Sequence, residues 1–138
     1  MIYNKQELIN IINNDINVLE QIFNNEDIFD SSIGEKYKTL ISTNMLFLLL
    51  DKIKNKYSYY FLCIISIYTN NYEKFVFLTN KYNLSKDEYL MFINLIINNN
   101  KLNKFVDYIE KKITLKETDL YFIYINACKN DNIYIYIS

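Results

Sequence analysis

At 138 residues, 51% of them hydrophobic and with 14 Tyr and 9 Phe, the chain is long enough for one buried core without metals or disulfides and too apolar for a disordered tail. A formal net charge of -1 lacks the basic excess of a dedicated nucleic-acid binder. The absence of His and Arg removes the commonest general base and metal ligand and the bidentate phosphate clamp, and a single Gly rules out a glycine-rich phosphate loop.

All 15 basic residues are Lys, Pro is absent, and Gly34 and Ala127 are the only small residues of their kinds. Ile, Asn, Lys, Tyr and Phe fill the space, which reads as an AT-rich codon bias; Asn at a turn then stands where other genomes would write Gly. Cys63 and Cys128 lie within apolar runs and read as buried thiols, not as a disulfide or metal pair. The amino terminus shows no basic-then-apolar signal pattern. The longest apolar run, Tyr59–Ile65, falls short of the roughly 20 residues of a membrane span. A soluble, cytoplasmic protein with no membrane contact is expected.

Taken in order, the chain alternates helix signals with polar breaks. Asn4 with Glu7 forms a capping box before Leu8, Ile9, Ile11 and Ile12. Asn13-Asn14-Asp15 breaks that face, and Ile16, Leu19, Ile22 and Phe23 recur at helical spacing. Ser32 with Glu35 opens the next unit, through Tyr37, Leu40 and Ile41. Met45–Leu50, apolar on every side, is expected to be the most buried helix. Ser58 starts a third unit, Ser85 with Glu88 a fourth, and Thr114 with Glu117 a fifth that carries Leu120, Ile123, Tyr124 and Ala127.

These starts mark a repeat of helical hairpins with units near 4–31, 32–57, 58–84, 85–113 and 114–138, together one domain. A second ruler runs beside the caps, through the second-helix positions Val18, Leu48, Phe75, Phe105 and Ile135. Polar breaks fall at Asn70-Asn71, Asn100-Lys101 and Asn130-Asp131. Helices of about 10 residues are marginal alone, so each hairpin must pack on a neighbour. The expected fold is all-α, a stack of about five short antiparallel hairpins. The alternative is a compact helical bundle centred on Met45–Leu50.

Ala127-Cys128-Lys129-Asn130-Asp131 followed by Ile133-Tyr134-Ile135-Tyr136 resembles the helix–break–helix centre of an ankyrin repeat, as does Asn13-Asn14-Asp15-Ile16-Asn17-Val18-Leu19. The whole is similar to the divergent ankyrin-like chains of AT-rich large DNA viruses. The family's Thr-Pro-Leu-His turn and its Gly after the second helix are absent, and the period is shorter than 33 residues. The resemblance therefore implies a plain helical-hairpin α-solenoid without protruding β-hairpin fingers.

The function expected is binding to another protein, as a viral modulator of a host factor by the resemblance, with no enzymatic activity, catalytic residues, cofactor or metal. The candidate partner surface is Lys52, Lys54, Lys56 and Tyr57 with the connectors Lys86-Asp87 and Lys116-Glu117. Two rivals stand beside it: an apoptosis-regulator-like bundle inhibitor, and a nucleic-acid-binding or nucleic-acid-mimicking antagonist, the lysines beside Tyr57, Tyr59 and Tyr60 being the one feature for the latter. Residues 1–30 carry six acids against one Lys, a charge split that suits a protein partner or a stacked copy. Ile133–Ile137 is expected to stay partly apolar at the surface and to support self-association.

Overall fold

The computed structural model describes residues 4–14, 18–53, 55–98 and 103–129, and every regular element among them is helical. They are α1 (Lys5–Asn14), α2 (Val18–Asn25), α3 (Ser32–Tyr37), a 3-10 turn (Lys38–Ile41), α4 (Thr43–Lys52), α5 (Lys56–Tyr68), α6 (Tyr72–Lys81), α7 (Lys86–Asn98), α8 (Asn103–Lys112) and α9 (Glu117–Lys129). The chain divides into two compact units, Met1–Leu78 and Thr79–Ser138, and the division falls inside α6.

The first unit is built on α5, not on α4. Phe61, Leu62, Cys63, Ile64, Ile65 and Ile67 are all essentially without solvent contact, and α5 packs against α2, α3 and the 3-10 turn. Burial pushes the Cys63 thiol well above its ordinary value, so it stays a protonated, inert core group. The helix starts because the Asn55 side chain accepts the Ser58 amide at 3.0 Å. It stops in a Schellman turn: the Asn71 amide reaches the Ser66 carbonyl at 2.8 Å and the Asn70 amide reaches Ile67 at 3.0 Å. Asn70 takes φ 57° there, doing the work of a glycine. The two polar side chains nearest that end stay satisfied, Ser66 donating to Leu62 and Thr69 to Ile65.

Met45–Leu50 is thus corrected from most buried helix to half-buried one. Met45, Leu46 and Leu49 face inward, while Phe47 and Leu48 are 54% and 51% exposed. An all-apolar run says nothing about how many sides have neighbours, and α4 presents its spare side to solvent, with Phe47 edge-on to Phe77. Leu48 also fails the second ruler: Leu49 is the inward residue, whereas Val18, Phe75 and Phe105 are buried as expected. Ile135 and Ile133–Ile137 lie outside the described residues, as do the Asn100-Lys101 and Asn130-Asp131 breaks.

The connector from α2 to α3 is tied down at several points. Glu26 Oε1 accepts from Lys36 Nζ at 2.7 Å and from Tyr37 Oη at 2.8 Å. The Tyr68 hydroxyl donates to the Ile28 carbonyl, and Asp27 Oδ1 accepts the Phe29 amide at 3.0 Å. Tyr37 itself is buried, edge-on to Phe61 with ring centroids 5.2 Å apart. Burial, then the bond to Glu26, pushes its phenol up to about 12. The bonds from Lys36 and Tyr37 hold the Glu26 carboxyl below its ordinary 4.5. A depressed carboxylate contributes stability that is complete above that ordinary value and is lost as pH falls through the depressed one. Melting curves from about pH 6 to about pH 3 should therefore fall more steeply below about pH 4.5 for the wild type than for Glu26→Gln.

Caps divide into those legible beforehand and those displaced. Asn4 Oδ1 accepts the Glu7 amide at 2.8 Å while Glu7 accepts from Asn4 Nδ2 at 2.6 Å. Ser85 Oγ accepts the Glu88 amide at 3.3 Å. The other three starts move. Asn55, not Ser58, caps α5; Ser32 is the first residue of α3, whose N-cap position Ser31 makes no side-chain cap bond, and Asp30 Oδ1 accepts the Ser32 amide at 3.0 Å. For α9, Asp119 reaches back to the Lys116 amide at 2.9 Å, so the start lies two residues after Thr114. Truncating Asn4 or Asn55 to Ala should each destabilise by about 1 kcal/mol in thermal melts, and Ser85→Ala, with the longer bond, by about 0.5 kcal/mol.

In the second unit α7 packs on both α8 and α9. Its inward face is Tyr89, Phe92, Ile93, Leu95, Ile96 and Ile97; Phe105, Val106 and Ile109 come from α8 and Ile123 from α9. The buried Thr79 hydroxyl meets Tyr108 Oη at 2.8 Å, and Asn80 Oδ1 accepts from Tyr108 at 3.1 Å and Lys112 at 3.0 Å. Leu120 and Tyr124, expected in the core, are exposed instead.

Candidate partner surface

The sequence-predicted surface residues separate into two groups, one in each unit. In the first, Lys56 and Tyr57 occupy the opening turn of α5, with Tyr57 43% exposed. The Tyr57 ring lies 5.7 Å from Phe23 and 6.1 Å from Tyr60, and Lys56 Nζ stands 5.9 Å from the Tyr60 centroid. Lys52, in the last turn of α4, is half-buried, and Lys54 lies outside the described residues. Glu20 enters the same neighbourhood, accepting from Asn55 Nδ2 at 3.1 Å. Glu20 thus puts an acid among the lysines, and the Tyr57 ring is edge-on to Tyr60 and tilted against Phe23.

In the second unit the connectors Lys86-Asp87 and Lys116-Glu117 come together through a residue the sequence reading did not single out. Asp119 Oδ2 lies 2.6 Å from Lys86 Nζ and accepts the Lys116 amide at 2.9 Å. Lys86, followed by the Lys116 amide, holds the Asp119 carboxyl below its ordinary range. Asp87 and Glu117 stay exposed in the first turns of α7 and α9, where the helix dipole favours acids. Asp119 carried a signal, an acid three residues after a helix start, but only for a start at Lys116.

Glu117, Leu120, Tyr121 and Tyr124 are spaced i, i+3, i+4 and i+7 and share one face of α9. All four are exposed, Tyr121 to 66%. A charged helix start thus runs directly into a stripe of two tyrosines and a leucine. Among the described residues no three His, Cys, Asp or Glu side chains gather as a metal-binding group, and no helix is long and apolar enough to cross a membrane. The chain matches no family model, no curated protein and no solved structure.

Proposed function

We propose that the chain is a helical-repeat module that binds another protein through the α7–α9 edge of its second unit. The exposed Glu117-Leu120-Tyr121-Tyr124 stripe is the observation that carries this reading. Tyrosine gives a large, rigid, amphipathic contact at low entropic cost and is enriched at interface centres, with charge at the rim. The rim here is Lys86, Asp87, Lys116 and Glu117, corresponding residues of two successive units, as a repeat face requires. The α-solenoid arrangement is part of the same proposal, supported by the recurrence of helix starts at Lys5, Ser32, Lys56, Lys86 and Glu117. The resemblance to ankyrin-like chains of large DNA viruses makes the partner a host protein and the role that of a viral modulator.

The test is capture from host-cell lysate on immobilised chain, with bound proteins identified by mass spectrometry. A partner retained by the wild type should be lost with Tyr121→Ala and with the pair Asp87→Lys and Glu117→Lys, each variant keeping its helical spectrum. A partner held equally by all three would place the interface elsewhere.

A further inference from the structure

Phe29 is 59% exposed at the tip of the connector between α2 and α3. A large apolar side chain alone at the surface is ordinary; a tip this firmly held is not. The Asp27 side chain fixes the Phe29 amide, the Asp30 amide closes on the Asp27 carbonyl at 3.0 Å, and Asp30 in turn fixes Ser32. Tyr68 and the Glu26–Lys36–Tyr37 cluster hold the two flanks. A ring presented on a backbone already ordered loses little further freedom on binding, and it stands between two exposed acids, Asp27 and Asp30.

The same unit holds an open surface cavity. A cavity of about 370 Å³ is lined by Lys38, Thr39, Ile41, Ser42, Thr69 and Asn71, of a size seen for small ligand sites. Lys38 stands at its edge, and Lys74, whose amide donates to Asn71 Oδ1 at 3.3 Å, reaches Thr43 beside it. Lys38 is engaged by Glu35 at 2.8 Å, but that pair is exposed on both sides and is weak enough to exchange for another acid. Phe29 stays exposed in the chain that carries the cavity, and the acids beside it complement the lysines beside the cavity, which points to a second copy as the occupant.

We propose that Phe29 of one copy seats in the Lys38–Asn71 cavity of a second, with Asp27 and Asp30 meeting Lys38 and Lys74. Knob and hole are different surfaces, so the contact is heterologous and joins copies head to tail. It uses the first unit only and does not rest on the partner edge proposed above. One ring and a few charges make a small interface, so association is weak and concentration-dependent.

Sedimentation velocity on the full chain, from about 10 µM to about 1 mM, reads it in the range of such small interfaces. The wild-type mass should rise with concentration, and Phe29→Ala should weaken association at least about tenfold. The pair Asp27→Asn and Asp30→Asn keeps both side-chain acceptors and removes both charges; it should weaken association and abolish its salt dependence. Ser42→Arg, placed across the cavity mouth, should also be monomeric, yet mixed with Phe29→Ala it should give dimers and nothing larger. A wild type that stays monomeric throughout, or association unchanged by Phe29→Ala, overturns the proposal. Monomers in the mixture with Ser42→Arg still helical overturn the cavity assignment; if Ser42→Arg does not fold, the Phe29 and Asp27/Asp30 variants decide.

Discussion

Phe75→Ala and Phe105→Ala are each expected to destabilise the chain by about 3–5 kcal/mol, as for buried aromatics generally. Both rings are fully buried, one in each compact unit, at positions the repeat alignment makes equivalent. Removing either takes away its transfer energy and leaves a void that the surrounding side chains fill only in part. A fall in melting temperature on the order of 10 °C should follow. Phe122→Ala is the control: that ring, on α9, is exposed, and its loss should change stability by less than about 0.5 kcal/mol. If the two buried substitutions moved the melt no more than the control, the register of α6 and α8 would be wrong.

Gly34→Ala is expected to destabilise by about 1–3 kcal/mol, although alanine is the better helix former by about 1 kcal/mol. Gly34 lies in the middle of α3 with an ordinary helical backbone, so its role is space and not φ. A Cβ at this position would overlap the Cβ of Tyr68, while that residue's carbonyl carbon at 3.4 Å and Cα at 3.5 Å would lie in ordinary contact. The clashing Cβ is fixed directly to the backbone of α5 and is not the end of a flexible side chain, so two helices must move apart. Their separation would also strain the Tyr68 bond to Ile28 and the connector it holds. In a chain this poor in small residues, the one glycine stands at a helix crossing. Thermal melts of Gly34→Ala beside a solvent-facing control such as Ser31→Ala measure it; equal melts would mean α3 and α5 are further apart than described.

Much of the helical map was legible because it rests on local chemistry. The Asn4–Glu7 box, the Ser85 cap and the break at Asn70-Asn71 each follow from a few neighbouring residues, and the guess that Asn replaces Gly at turns is realised at Asn70. The same abundance of Asn, Asp and Ser misplaced the other caps. Ser58 has the right neighbours for an N-cap but donates its amide to Asn55, a competitor three residues earlier. Burial was harder to read, since it depends on distant elements. Nothing in Met45–Leu50 tells that Phe47 and Leu48 face solvent, and nothing around Lys86 tells that Asp119, 33 residues away, takes its charge. Leu120 and Tyr124 read as core beside Ile123 because their spacing is that of a core face; only the placement of α7 beside Ile123 decides which side is inward.

Native-state hydrogen exchange, resolved by residue, tests most directly the claim that α5 is the centre around which the first unit is built. Amides that open only with the whole unit exchange slowest, and those at a solvent-facing edge exchange through local fluctuations. The slowest amides of residues 4–78 should fall between Phe61 and Tyr68, with those of α4 around Phe47 and Leu48 exchanging distinctly faster. Greatest protection across Met45–Leu50, with α5 exchanging faster, would contradict this arrangement and return α4 to the centre.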